Sequence, residues 1–222
     1  MAPDTAGSGA ARTEGGGIVA TVSHYANHEA VVVRFLALWA LCMAVFSVAW
    51  VVGYYALPEG LLRGSLGADA PVVGATVVET FARIFAWNLM LGAGPVVAFN
   101  TLRSVNTPAS SVVLVLVWFQ GGLVYGTNSL GIQAGRLAPS LATLFGRSGV
   151  YELTAYVLLA VATRELLLWH QRSGPRWREE FERVRSPSDW SLTRREWAMA
   201  IAGVVLLALA NYREAVMIHA LG

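Results

Sequence analysis

Five stretches of the chain are apolar at nearly every position, at residues 30–57, 84–102, 111–131, 149–169 and 197–218, and the polar residues gather between them. At 1.5 Å per helical residue, stretches of this length suit a crossing of about 30 Å of hydrocarbon. Pro58 and Gly60 stop the first. The second opens with an amphipathic segment over 72–83, and Pro95, three residues after Gly92, predicts a kink, because proline removes a backbone bond and collides with the preceding turn. The third carries Gly121, Gly122, Gly126 and Gly131 in its second half. Small residues let helix backbones approach closely, so this span is expected at the centre of the bundle.

The pattern predicts an all-α fold, a polytopic transmembrane helical bundle of five spans in one domain over residues 30–222. Residues 1–29 form a tail ahead of it, and residues 1–17 hold too few apolar side chains to order themselves. No short apolar core with a small-residue cleavage site opens the chain, so the first span is expected to stay as an anchor.

Composition strengthens this reading. Of 222 residues 55% are hydrophobic and 14% charged, with a mean hydropathy of +0.53, whereas soluble domains carry about a quarter charged residues. The single cysteine, Cys42, excludes an intramolecular disulfide and a cysteine-based zinc site. The net charge of +2 is small, and no basic stripe interleaved with aromatics points to nucleic acid.

Where the arginines fall sets the expected orientation. The tail and the loops after spans two and four hold Arg12, Arg103, Arg172, Arg176, Arg178, Arg183, Arg185, Arg194 and Arg195, against Arg63, Arg83, Arg136 and Arg147 on the other side. Positive loops stay inside. The N-terminus is therefore expected in the cytoplasm and the C-terminus outside, in a cell membrane crossed several times.

Alternating spans put the start of span two, the end of three, the start of four and the end of five on one side. Those ends carry Asn88, Asn128, Glu152, Asn211, Arg213 and Glu214. Ionisable groups in lipid cost about 2.5 to 3.5 kcal/mol each unless paired or hydrated, so a joint polar cluster is expected, with Glu152 paired to Arg213. Such a cluster serves either as polar glue between helices or as a functional site. Arg164 and Glu165 lie near a span end and are expected to reach the headgroups.

Between spans four and five, the segment 177–185 reads WREEFERVR. Trp177, Phe181 and Val184 recur at helical spacing, and Arg183 sits four residues after Glu179, which predicts an amphipathic cytoplasmic helix that lies on the membrane or docks a partner. His24 and His28 share a helix face but lack a third ligand, and no metal or cofactor is expected. His170 and His219, near span ends, are read as interfacial. No Gly-Lys-Ser phosphate loop, G-x-S-x-G or H-E-x-x-H occurs, which excludes nucleotide hydrolysis and zincin-type proteolysis as self-contained activities.

The run Trp87-Asn88-Leu89 with Gly92, the glycine-rich third span with Asn128 and Gly131, the stretch 149–155 reading GVYELTA, and the terminal Asn211-Tyr212-Arg213-Glu214-Ala215 together resemble the stage II sporulation protein M family. The resemblance covers residues 81–216 and implies an integral membrane protein without self-contained catalysis. It implies a scaffold or complex subunit that recruits protein partners in envelope or membrane remodelling. The expected partners are the lipid bilayer and the proteins of a membrane complex, a homo-oligomer being one form of it. The alternative is a small multi-pass transporter or channel component that uses the polar cluster.

Overall fold

The computed structural model describes residues 17, 21, 24–64, 73–104, 107–130, 135–171 and 180–221. The first apolar run forms helix α1, Val31–Ala56. It ends at Leu57, whose backbone is extended, as the residue before a proline is held by steric contact with the proline ring. Helix α2 follows over Val77–Phe99. Thr76 caps it by accepting from Glu79 N, while the Glu79 carboxylate accepts from Ala75 N.

The expected kink takes the form of a π-helical turn over Asn88–Ala93. Gly94 N donates to Leu89 O, five residues back. Pro95 has no N–H to give, so the helix passes it by widening one turn instead of breaking.

Helix α3, Ala109–Gly126, stops at Thr127, and Asn128 turns left-handed with φ of 52°. The short helix α4, Leu141–Phe145, precedes α5, Gly149–Ala162. The last helix, α6, covers Arg194–Leu221.

Four helices, α1, α2, α3 and α6, are long and apolar enough to cross a membrane. The fifth predicted span is shorter than expected. With 14 residues, α5 rises about 21 Å, less than the hydrocarbon thickness of about 30 Å. It is also the most enclosed helix. Nine of its 14 residues are buried, whereas the long helices bury at most 33% of their apolar stretches.

At the centre the glycine-rich α3 lies along α1 in the most extensive helix pair. Gly122 and Gly126 are one turn apart and bring the backbones into contact: a Cβ at Gly126 would stand 2.5 Å from Trp50 O and 2.7 Å from Gly53 Cα. Around this seam the Phe46 ring meets Trp50, Trp118 and Tyr125 edge to face, the arrangement that ring quadrupoles favour. Two indoles tie α1 outward, Trp39 Nε1 donating to Thr154 Oγ1 at 3.0 Å and Trp50 Nε1 to Leu137 O at 3.1 Å.

The helical class had to be extended by one small sheet. Strands β1 (Leu102–Ser104), β2 (Thr107–Pro108), β3 (Trp169–Gln171) and β4 (Glu182–Arg183) pair in the order β2-β1-β3-β4. Arg103 faces His170 in the parallel β1–β3 register, and His170 faces Glu182 across the antiparallel β3–β4 pair. This sheet corrects the predicted amphipathic loop helix: residues 180–185 are not helical, and Glu182 and Arg183 form strand β4. Pairing through β4 satisfies their backbone groups across strands, where a helix would have satisfied them internally. Trp177 and Glu179 lie outside the described residues.

The sheet closes the end of the bundle where α1 and α6 begin. The other end, where α3 stops and α5 starts, is closed by loops. There Gly60 N donates to Thr127 O and Leu62 N to Ser129 Oγ. Arg136 reaches across to Gly126 O, Gly53 O and Leu57 O, with its guanidinium over the Tyr54 ring.

Candidate functional site

The π-helical turn of α2 places Asn88 against α5 and α6. Its Nδ2 donates to Asn211 Oδ1 at 2.6 Å and to Glu152 Oε2 at 3.3 Å. Asn211 has no solvent exposure, and its Nδ2 donates back to Leu207 O. Four of the six predicted residues thus gather at one place: Asn88, Glu152 and Asn211 in a hydrogen-bonded chain, and Glu214 one helical turn beyond Asn211, beside the Glu152 carboxyl. Gly92 makes room for Tyr156 nearby; a Cβ there would stand 2.2 Å from the Tyr156 hydroxyl.

The other two residues go elsewhere. Arg213 does not pair with Glu152. It is exposed, donates to Gly146 O at 2.7 Å, and lies over the Tyr151 ring. Neighbouring helical residues point about 100° apart, so Arg213 meets only the start of α5, at Gly146 O and the Tyr151 ring, while Glu214 is brought to the Glu152 carboxyl. Asn128 sits at the end of α3, where its Nδ2 donates to Glu59 Oε1 and its carbonyl accepts from Arg63. Its task is to hold the loop after α1.

The heart of the cluster is therefore acid beside acid. Glu152 Oε1 is enclosed without a hydrogen-bond partner, although Ser148 and Glu214 stand next to that carboxyl. Two carboxyls in such a place repel when both are ionised, and between them they can hold a proton or a small cation. Among the described residues no group of three or more His, Cys, Asp or Glu is placed to hold a metal ion.

A consequence follows for mutation. Glu152→Gln keeps an oxygen for Asn88 and removes the like charge facing Glu214, so the thermal melt of the purified protein should stay level or rise. A fall of several degrees would mean that Glu152 is held by a cation. Glu152→Leu, which leaves Asn88 short of an acceptor, should lower stability by about 1 to 3 kcal/mol, read as a fall in the same melt.

Of the docking residues expected in the last loop, three are described. Phe181 is exposed, and Arg183 in β4 donates through Nε to Arg185 O. Val184 N donates to Leu168 O. His219 is engaged with Thr80 Oγ1 at 2.9 Å, tying the end of α6 to the start of α2.

Two polar groups escaped the sequence reading. The first is Asn100, 1% exposed just after α2. Its Nδ2 donates to Ala160 O at 2.8 Å and Thr163 Oγ1 at 2.7 Å, and its Oδ1 accepts from Ser110 Oγ. One side chain thereby joins three helices. The second is a group of arginines at the sheet end. Arg34, in the first turn of α1, is 3% exposed and lies 3.9 Å from Glu196. Arg164 does not reach outward as expected; it donates to Asn27 O and Oδ1.

Burial, reinforced by the neighbouring Arg34 and Arg103 charges, pushes Arg164 down to about 10. Burial likewise lowers Arg103, against the pull of Glu165. An arginine inside the first turn of an apolar span was the available signal, because such a charge is retained only with partners.

No known protein family, curated protein or solved structure matches this chain.

Proposed function

We propose that the protein is a non-catalytic integral membrane scaffold or complex subunit, of the kind the stage II sporulation protein M family represents. In this reading α5 completes a fifth crossing, packed chiefly on α6 and touching α1, α2 and α3. The sheet end faces the cytoplasm, where the arginine-rich loops lie, and the C-terminus lies outside. Partners are held at the membrane in envelope or membrane remodelling.

The observation that carries this reading is the filled interior. Cys42, Leu114, Trp118, Val157 and Leu207 have no solvent exposure. Side chains packed to this degree resist the rearrangement that passage of a solute demands. The outward faces of the four long helices suit lipid and neighbouring helices equally, since small and apolar residues serve both.

A second reading, a small transporter component, is favoured by the enclosed Glu152 Oε1 beside Glu214. The two readings separate in one pair of measurements. A scaffold is recovered from cross-linked membranes with the same partner at a constant ratio in two mild detergents, and its reconstituted vesicles are as tight to protons and sodium as protein-free ones. A chain that purifies alone in both detergents, with a vesicle leak abolished by Glu152→Gln, would establish transport instead.

A further inference from the structure

At the sheet end a cavity of about 400 Å³ opens between the start of α1, the segment after α5 and the start of α6, lined by Arg34, Arg164, Arg185, Glu165, Thr193 and Glu196. Two of its carboxylates are already engaged. Glu196 Oε2 accepts from Thr193 N at 2.8 Å and Thr193 Oγ1 at 2.9 Å, and its Oε1 faces Arg34. Glu165 Oε2 faces Arg185 Nη1 at 3.5 Å.

The arginines are in the opposite condition. Nε of Arg34, Nε of Arg164, and both Nε and Nη2 of Arg103 are buried without a hydrogen-bond partner. Arg34 spends its other nitrogens on His28 O and Val161 O, and Arg164 spends its own on Asn27. Arg103 stands close enough to bear on the charge of both. In the lining itself three guanidiniums, Arg34, Arg164 and Arg185, meet three carboxylates, Glu29, Glu165 and Glu196. The neighbouring Arg103 tips that balance to the positive side, and the enclosed Nε–H groups of Arg34 and Arg164 are left as donors on residues of the lining.

Buried donors of this kind are rare unless something occupies them. A guanidinium presents its donors as a rigid fork that fits tetrahedral oxyanions bidentately. A carboxylate brings two oxygens, whereas a phosphate brings three or four, the number that several converging arginines can use. The cavity is also wider than a bare phosphate needs, which leaves room for the ester group attached to one.

We propose that this arginine-lined cavity is a binding site for a phosphate group, carried either by a phospholipid headgroup at the membrane face or by a free phosphate from the adjoining solution. The site is separate from the Asn88–Glu152 cluster, and it does not depend on whether the protein acts as a scaffold or a transporter. Arg34 and Arg164 line it. Arg103 adds a neighbouring positive charge.

The test uses the full chain, delipidated in a neutral detergent at constant ionic strength. Inorganic phosphate and a short-chain phosphatidylglycerol are added separately, with chloride as the control, and the thermal midpoint is read. At saturation one or both probes should raise the midpoint by about 5 °C. A response to inorganic phosphate identifies a free-anion site, and a response to the lipid alone identifies a headgroup site. The rise should fall to less than half in Arg103→Gln and in Arg164→Gln. Protection of Arg34 and Arg164 from phenylglyoxal in the unsubstituted protein, read by peptide mass, gives the same answer if either variant fails to fold. No rise over chloride with either probe, or equal labelling with and without them, would overturn the proposal.

Discussion

Gly126→Val should abolish the folded protein. The new Cβ would lie 2.5 Å from Trp50 O and 2.7 Å from both Gly53 Cα and Tyr54 N. All three are backbone atoms of α1, so no side-chain rotation can relieve the overlap. The helices must part, and the Arg136 bonds to Gly126 O, Gly53 O and Leu57 O, which span the same seam, must part with them. Overpacking costs roughly 1 to 3 kcal/mol where neighbours can yield, and more is expected here. Loss of the monodisperse peak in detergent chromatography reads the outcome. Gly135→Val is the control, because a Cβ at that position meets nothing within 4 Å. A Gly126→Val protein that eluted and melted like the parent would show that α1 and α3 do not meet along this seam.

The second large effect belongs to Asn100. Asn100→Leu preserves bulk but withdraws a donor from Ala160 O and an acceptor from Ser110. Orphaned buried groups cost about 1 to 3 kcal/mol apiece, so a loss of about 2 to 5 kcal/mol is expected in a thermal or denaturant melt. Ser110→Ala in the Asn100→Leu background should recover part of it, because the hydroxyl left without its acceptor is then gone. Additive losses in the double variant would show that the two residues act independently.

Lipid acts on every residue of a span, so the long apolar helices could be read from the chain with little error. Their ends could not. The third run was expected to reach residue 131 but stops at Gly126, because Thr127 returns its hydroxyl to Leu123 O and Asn128 turns left-handed. The fourth stops at Ala162, where Thr163 turns back to Leu159 O and Asn100 Nδ2. Strands of two or three residues leave no periodic trace, and the sheet arises from pairing between loops far apart in sequence.

The polar cluster was legible as a convergence of helix ends but not in its chemistry. Spacing puts both Arg213 and Glu214 near α5, and only the rotation of the helix decides which of them meets the Glu152 carboxyl. Arg34 and Arg164 were hidden for another reason. A long basic side chain near a span end ordinarily extends to the interface; Arg34 inside an apolar run signalled a partner, but nothing local in the sequence names the distant backbone carbonyls to which these two turn.

The central claim is that the bundle crosses a bilayer with its sheet end and its loop end on opposite faces. Cys42 is the single cysteine and is buried, so a Cys42→Ala chain offers a clean background for one reporter thiol at a time. Ser188, beyond the sheet, and Ser140, before α4, are both exposed. With a membrane-impermeant maleimide on intact cells, Ser140→Cys should label at once and Ser188→Cys only after the membrane is opened. Labelling of both positions in intact cells, or of neither, would contradict the account.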